Sequence, residues 1–306
     1  SYRHIISERL GEKNPYTNGV TDPDNPDYAK GYGRYAEDVL IPAFLAAYQG
    51  EDPHSIPLMG KAVTGIKENP FSSIKPFPNW SIKYNGLSNL PFLRDFITNL
   101  TISNSYTSTL SMNNFSSSLL FKDPLQLGFP GFIDTTSGNY IPYFRVPNIT
   151  ISEQLSPLIG IDATFNNNLN ISFSYGKART LTLSLIDYQL TEVRSTQITF
   201  GAGYRIRNFP MPFHIGGEKK LQNDLNFRID LGYQDSKTMN NRLDADLLIP
   251  TNGRTVITIS PSIDYVINNR FNLHFFYNKR ATTPFVSTSY PLSNTEAGVT
   301  LRFIFQ

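Results

Sequence analysis

The side chains that could perform acid–base or metal chemistry are few and widely separated. The four histidines, His4, His54, His214 and His274, lack the spacing of a metal site, and the chain has no cysteine. His274 could start a Ser-His-acid constellation, but nothing in the sequence places a serine opposite it. We therefore expect no catalytic residue, no metal site, no cofactor and no enzymatic activity.

Two short motifs resemble ligand sites without their full pattern. "DPDNPD" at 22–27 spaces three aspartates as in a calcium loop, but its prolines stiffen the chain, and the glycine and distal glutamate are missing. "GAGYR" at 201–205 places two glycines inside an alternating segment rather than at a strand-to-helix turn. Both motifs are interpreted as structural.

The composition favours strands and turns and excludes some partners. Charged residues are 17% of the chain and aromatic residues 13%, and asparagine, serine and threonine fill much of the rest. The net charge is +2, and no basic cluster is interleaved with aromatic residues, so we expect no nucleic-acid partner. No apolar run is long enough for a membrane-spanning helix. The chain starts at Ser1 without a signal peptide, which predicts a mature form or a fragment.

The first 79 residues are predicted to be a proline-rich segment of loops with one helix. "YAEDVLIPAFLAAYQG" at 35–50 places Val39, Leu40, Phe44 and Tyr48 near one face and stops at a glycine, with a kink or first-turn position at the internal proline. We expect this helix to pack on a neighbouring sheet, and we interpret residues 1–79 as a plug, a cap or a periplasmic insertion.

From residue 80 the apolar residues recur at every second position, which is typical of strands with one face out of water. The pattern predicts about nine strands after residue 147 and about twelve in all, many of about 10 to 14 residues. Tight turns are predicted at "NNN", "DSKT" and "NNR", and a short connection at "PTNGR". A proline- and glycine-rich loop at 122–147 interrupts the pattern, and loops of that length often serve a function.

Charged side chains occupy the positions between the apolar ones. If the apolar positions face lipid, these side chains face the lumen of a barrel. The lumen-facing candidates are Arg205, Arg207, Arg228, Asp230, Asp244, Asp246, Asp264, His274 and Arg302. The lipid-facing candidates are Ile229, Leu247, Val299, Leu301, Phe303 and Phe305. The arginines and aspartates are expected to pair across adjacent strands and to give the lumen a polar lining.

Long strands with one wet face suit two architectures, a soluble sandwich or barrel and a membrane barrel. A transmembrane strand needs about 9 to 11 tilted residues, and tyrosine and phenylalanine near many strand ends suit an interfacial aromatic belt. The fold class we predict is an all-β, antiparallel transmembrane β-barrel over 80–306, following the loop- and helix-containing segment 1–79. The final strand, ending in "VTLRFIFQ", is expected to pair with another strand and so to close the barrel.

Several longer segments resemble a known family. They are "DVLIPAFLAAYQG" at 38–50, "PFPNWSIKYNGLSNLP" at 76–91, "SPLIGIDATFNNNLNISFSYGKARTLTLSL" at 156–185, "YQLTEVRS" at 188–195 and "ITFGAGYRIRNF" at 198–209. The chain is similar to the C-terminal part of the SprA/Sov family, the outer-membrane translocons of the type IX secretion system and gliding motility in Bacteroidota. The run at 156–193 is the most specific part of this resemblance.

The resemblance implies a single-chain barrel of 36 strands that lets folded cargo proteins cross the outer membrane. It also implies a lateral opening, a PorV-type shuttle barrel, a plug protein, and cargo with a type IX C-terminal signal. The remainder of the translocon barrel would then lie outside these 306 residues, which we interpret as a fragment. The alternatives are a free-standing outer-membrane diffusion channel or hydrophobic-solute transporter, with loop 122–147 as a constriction, and an adhesin-like surface barrel.

Overall fold

A long antiparallel sheet and a smaller helical region make up the part of the chain that the structure describes. The computed structural model describes residues 2–58, 77–210, 222–245, 247–268, 271–286 and 289–303. Nine strands form one sheet in the order β1-β2-β5-β6-β7-β8-β9-β10-β11, and every neighbouring pair is antiparallel. The strands of the sheet are β1 (Trp80–Tyr84), β2 (Ile97–Ser111), β5 (Asn148–Phe165), β6 (Leu169–Ser184), β7 (Gln189–Pro210), β8 (Gln222–Arg242), β9 (Leu247–Asn268), β10 (Phe271–Pro284) and β11 (Leu292–Phe303).

The shorter elements lie before and between these strands. Two further strands, β3 and β4, form a separate two-stranded sheet. The remaining elements are α1 (Tyr2–Lys13), α2 (Glu37–Gln49), a 3-10 turn (Gly86–Asn89), α3 (Pro91–Arg94), β3 (Ser116–Ser117) and β4 (Phe144–Arg145). None of the helices in the described ranges is long and apolar enough to cross a membrane.

Within the described ranges, the strands of the main sheet are fewer and longer than the sequence pattern predicts. β7 and β9 each have 22 residues, and β8 has 21. The segment "DSKT" lies inside β8 and the segment "PTNGR" lies inside β9, so neither is a turn. The connection between these two strands follows Arg242. Polar residues within a long strand resemble a turn in sequence, whereas register with both neighbours keeps them extended. The predicted turn at "NNN" is present, with Asn168 in the left-handed region at φ 64°.

The sheet does not close on itself in the described part of the chain. There, β1 pairs with β2 alone at one edge, and β11 pairs with β10 alone at the other. Among the described strands the last one, β11, therefore has β10 as its single neighbour, and the pairing that would close a barrel is absent there. The architecture that stands is an open antiparallel sheet with few helices.

Residues 2–58 and the loop at 122–147 pack together, and we call them the helical unit. Asn14, which is fully buried, donates from Nδ2 to the Tyr32 hydroxyl and to the Pro130 carbonyl, both at 2.9 Å. The Tyr16 hydroxyl donates to Asp123 Oδ1 at 2.6 Å, linking the same two segments. The long loop is thus anchored on the N-terminal residues by buried hydrogen bonds.

The helical unit contains the predicted helix and one that the sequence pattern did not predict. α2 ends at Gly50, whose φ of 68° is the left-handed geometry of a helix C-terminus, and it includes Pro42 in its interior. α1 was missed because its contact face is made partly of small residues. A Cβ on Gly11 of α1 would lie 2.3 Å from the Ala29 Cβ, so this close contact requires glycine.

Candidate functional site: an apolar belt and a polar face

The register places apolar side chains of eight strands on one face of the sheet, which we call the apolar face. Residues paired across antiparallel strands share a face, and residues two apart along a strand stay on it. Ile171 pairs with Ala202, Ala202 with Ile229, and Ile229 with Pro261. We call the following set the apolar belt: Leu100, Ile102, Ile159, Ile161, Ala163, Ile171, Phe173, Ile198, Phe200, Ala202, Phe227, Ile229, Leu231, Ile257, Ile259, Ile263, Leu273, Phe275, Val299 and Leu301.

Much of the belt is exposed. Ile229, Ile257 and Phe275 are exposed large hydrophobic residues, as are Val299 and Leu301 on the last strand. A monomeric soluble protein rarely leaves a contiguous apolar patch of this extent uncovered. Such a surface therefore requires an apolar environment or a partner.

Tyrosines border the belt, and polar residues follow them on the same face. Tyr175 is succeeded two residues later by Lys177, and Tyr233 by Asp235. Tyr204 and Tyr265 lie on the opposite border. Tyrosine suits a boundary between apolar and aqueous regions, because its ring is apolar and its hydroxyl is polar.

The belt together with the residues that flank it has a height close to the thickness of a bilayer core. From Leu225 to Tyr233, the flanking residues on the same face, β8 covers roughly 27 Å at the usual rise of about 3.4 Å per residue. A tilt of about 40° would reduce this to roughly 20 Å along the normal, against an apolar band of about 25 Å in membrane barrels.

The other face, which we call the polar face, carries mostly small polar side chains. Gly201 pairs with Ser172 on one side and Asp230 on the other, and a Cβ on this glycine would lie 2.5 Å from the Ser172 Oγ. Phe276 is an exception, and its ring lies over Gly298 of β11, where a Cβ would be 2.7 Å from the Phe276 Cζ. The glycine in the last strand is therefore explained by the cross-strand ring.

Six of the nine predicted lumen-facing residues share the polar face. By register these are Arg205, Arg228, Asp230, Asp264, His274 and Arg302. Arg207 lies where the β7–β8 register shifts, and its Nη2 donates to Asn168 Oδ1 at 3.1 Å. Asp244 lies in the turn after β8, and Asp246 lies outside the described residues.

The charged groups of the polar face pair both between residues two apart in the chain and across neighbouring strands. Arg228 Nε donates to Asp230 Oδ2 at 2.6 Å, two residues away on β8. Arg242 and Asp244 pair in the same way, whereas Arg205 reaches Asp224 on the next strand. His274 Nδ1 lies 2.6 Å from Asp264 Oδ1, and these two residues are direct cross-strand partners. These exposed pairs contribute little to stability, and their main effect is to orient the side chains.

The predicted lipid-facing residues do not all lie on one face, because the pairing of β8 with β9 is irregular at one point. Ile229, Val299 and Leu301 lie on the apolar face. Leu247 does not, because a register shift between Thr238 and Met239 adds a residue to β9 and inverts its alternation beyond that point. Leu247 pairs with Arg242 on the polar face, so the prediction of a common face was wrong there. Phe303 pairs with Phe271 on the backbone, and Phe305 lies outside the described residues.

The helical unit covers the apolar face beyond the polar border of the belt. Ile149 and Ile151 of β5 and Leu181 and Leu183 of β6 are buried beneath it, in one cluster with Ile6, Val39 and Ile41. On β5 and β6 the apolar face is thus exposed within the belt, and the helical unit covers it toward one end of the two strands. Sequence alternation alone could not separate these two environments.

Two carboxyl groups at the start of α2 lie beside the cluster, Asp38 buried and Glu37 partly buried. Burial and, to a smaller extent, the neighbouring Glu37 carboxylate together raise the pKa of Asp38 to about 7. Burial also raises the pKa of Glu37, against the lowering effect of Arg145, whose Nε lies 2.9 Å from Glu37 Oε1. The first turn of a helix favours negative charge, but water exclusion dominates at Asp38.

The part of the chain that the structure describes contains no group of three or more side chains suited to hold a metal ion. No family model matches the sequence, and no curated protein matches it significantly. The functional argument therefore rests on the two faces of the sheet.

Proposed function

We propose that this chain forms part of the wall of an outer-membrane β-barrel, with the apolar belt against lipid and the polar face toward an aqueous lumen. The observation that supports this proposal is the exposed belt across eight strands, bordered by tyrosines and backed by a polar face. A sheet in water would bury this belt, whereas lipid covers it without another protein layer.

We further propose that the barrel is a protein-conducting channel of the SprA/Sov type, which exports folded cargo proteins in type IX secretion. The sequence resemblance supports this step, together with the character of the polar face. Serine, threonine, asparagine and glycine offer a moving protein weak, replaceable hydrogen bonds and little apolar surface on which to adhere.

The open edges of the sheet support the proposal that further strands complete the wall of the barrel. The two outer strands of the described sheet leave unpaired backbone groups, and lipid cannot satisfy them. In the proposal, the remainder of the translocon barrel provides these partners. A PorV-type shuttle barrel, a plug protein and cargo with the type IX signal would be the other partners.

The proposal also assigns a place to the helical unit. This unit packs on the apolar face, beyond the belt, through Ile149, Ile151 and Leu183. If the belt faces lipid, the unit lies against the outside of the wall, next to one mouth of the barrel. It would then be neither a plug in the lumen nor a cap across it.

Single-cysteine labelling tests the orientation of the two faces. The chain has no cysteine, so Ile229→Cys and Asp230→Cys each carry one reactive group at adjacent positions of β8. In native outer membranes, we expect a water-soluble maleimide to label Asp230→Cys, and a lipid-soluble maleimide to label Ile229→Cys. Labelling of Ile229→Cys by the water-soluble reagent would overturn the membrane proposal.

Photo-crosslinking tests the passage of cargo. A photoreactive amino acid at Ser172, on the polar face, should crosslink to folded cargo that is stalled during export, whereas the same group at Phe173 should crosslink to lipid. A free-standing diffusion channel would instead show a solute-sized conductance in a planar bilayer and no cargo crosslink at Ser172.

A further inference from the structure

A cavity lies on the apolar face between the belt and the helical unit. Its volume is about 330 Å³, and Tyr106, Leu155, Lys177, Arg179, Arg194 and Thr196 line it. Lys177 follows Tyr175, the tyrosine that borders the belt on β6. The cavity therefore begins where the apolar surface ends.

Cations outnumber carboxylates around this cavity. Arg179 Nε and Arg194 Nε both donate to Glu192 Oε1, at 2.6 and 2.8 Å, so two guanidinium groups share one carboxylate. Their remaining N–H groups are accessible, because the side chains are 43% and 65% exposed. Guanidinium groups with unused donors are well suited to an oxyanion such as phosphate.

The other carboxylate at the cavity is already occupied by hydroxyl groups. Glu153 Oε1 accepts from the Tyr106 hydroxyl at 2.8 Å and from the Tyr48 hydroxyl of α2 at 3.1 Å. Its second oxygen, Oε2, lies 3.9 Å from Arg179 Nη1. Lys177 has no ion pair with another described side chain, and its Nζ lies 5.5 Å from the centroid of the Tyr175 ring.

The side of the cavity toward the belt is apolar. Leu155 lines it, and Ile159 and Ile198 follow on the same face in the direction of the belt. On the opposite side, Tyr48 links the helical unit to Glu153. An anion held by the three cations would thus be placed over an apolar surface that continues into the belt.

We propose that this cavity binds the phosphate of an anionic membrane phospholipid, with the acyl chains lying along Leu155 and Ile198. The inference rests on the proposed function, because it requires the belt to face lipid. Free phosphate would satisfy the cations but not the apolar side, so the continuity of the two surfaces favours a lipid.

Native mass spectrometry of the whole chain in a neutral detergent tests this inference. The probe is dimyristoylphosphatidylglycerol, with inorganic phosphate as the second arm. The variant Lys177→Gln/Arg194→Gln removes two cations from the cavity. The matched control, Arg254→Gln/Arg280→Gln, removes the same charge from the polar face, where Arg254 pairs with Ser236 and Arg280 with Thr258.

We expect the cavity variant to bind the lipid about 5- to 20-fold more weakly, and the control variant to bind it as the unmodified chain does. Equal binding by all three proteins, or equal loss in both variants, would overturn the inference. Displacement of the lipid by an equal concentration of inorganic phosphate would also overturn it, since the site would then recognise a free anion.

The labelling experiment separates failure of this inference from failure of the proposed function. Ile229→Cys is introduced into the cavity variant and labelled as above. If the cysteine stays protected from the water-soluble reagent but the variant binds the lipid probe as the unmodified chain does, only the lipid site is disproved. Water-soluble labelling at Ile229→Cys disproves the membrane orientation and the lipid site with it. The same labelling confirms that the cavity variant is folded.

Discussion

The helical unit and the belt use the same apolar residue types in opposite ways. Ile6, Val39 and Ile41 are 0% exposed, whereas Ile229, Leu301 and Val299 are 37%, 55% and 58% exposed. The helical unit buries its apolar surface among α1, α2, loop 122–147 and the covered ends of β5 and β6. The belt leaves its apolar surface to the surroundings. One chain therefore contains a core that protein covers and a surface whose free energy depends on the solvent it meets.

The meeting point of the two regions shows that burial follows packing rather than strand identity. Leu183 and Phe173 lie on the same face of β6, and the helical unit covers only the first. Substitutions in the two regions should therefore respond differently to lipid. The four predictions below test this difference, from the largest expected effect to the smallest.

Ile41→Ala should destabilise the helical unit by about 2 to 5 kcal/mol, because it leaves a cavity in a fully buried cluster. The free energy of opening of α2, measured by hydrogen exchange in the whole chain, would report the loss. The matched variant Ile229→Ala should cost less than about 1.5 kcal/mol in lipid vesicles, since lipid chains can fill the space. Similar costs at both positions would remove the contrast between the two regions.

Ile229→Arg should cost about 2 to 4 kcal/mol in lipid vesicles, because it places a charge on the belt. Leu247→Arg should cost less than about 1 kcal/mol, because its backbone register places it on the polar face, where water screens the repulsion from the exposed Arg242 side chain opposite. Urea titration of the whole chain in vesicles, followed by fluorescence of the single tryptophan, Trp80, measures both. Equal effects would contradict the register shift at Thr238.

The helical unit should lose stability as the pH rises from about 4 to about 7. In the unfolded chain Asp38 loses its proton near the ordinary pKa of 3.8, whereas in the fold it keeps the proton to about pH 7. The folded state therefore binds more protons in this window, and stability decreases by an amount on the order of 2 to 4 kcal/mol.

Asp38→Asn should remove most of this pH dependence and leave the smaller part that comes from Glu37, whose pKa burial also raises. Hydrogen exchange of α2 at pH 4 and pH 8 in both proteins measures the difference, after correction for the intrinsic exchange rate. The expected result is that the variant is more stable than the unmodified chain at pH 8 and similar to it at pH 4. Parallel pH profiles for the two proteins would show that Asp38 is not the group responsible.

Asp230→Asn should change stability by less than about 1 kcal/mol in the same urea titration, because its pair with Arg228 is exposed on the polar face. The side chains of Arg228 and Asp230 are 68% and 44% exposed, so water already screens the pair. A loss as large as that of Ile229→Arg would mean that the polar face is packed against protein.

Local patterns were sufficient to predict one helix and the nature of each face. The sequence of α2 contains both its apolar positions and its terminating glycine, and the alternation in β8 identifies Ile229 and Asp230 as opposite in character. α1 escaped prediction because Ser7 and Gly11, rather than large apolar residues, make part of its buried face. Small residues signal a close contact only once the partner, here Ala29, is known.

The pairing register of neighbouring strands was the main property that the sequence did not determine. The single extra residue opposite Thr238 and Met239 moves Leu247 to the polar face. It lies inside "PTNGR", whose proline and glycine were interpreted as a connection between strands rather than as a bulge within one. In the same way, "DSKT" has the composition of a turn but lies inside β8, where pairing with β7 and β9 keeps it extended.

The sequence by itself determined which residues are apolar, their period of two, and the absence of thiol chemistry, because these properties belong to residue types and spacing. The tertiary structure decided the open nine-stranded order, the position of the bulge, and the burial of one end of the apolar face by the helical unit. These features depend on contacts between residues far apart in the chain, such as Tyr48 and Glu153, which no local pattern records.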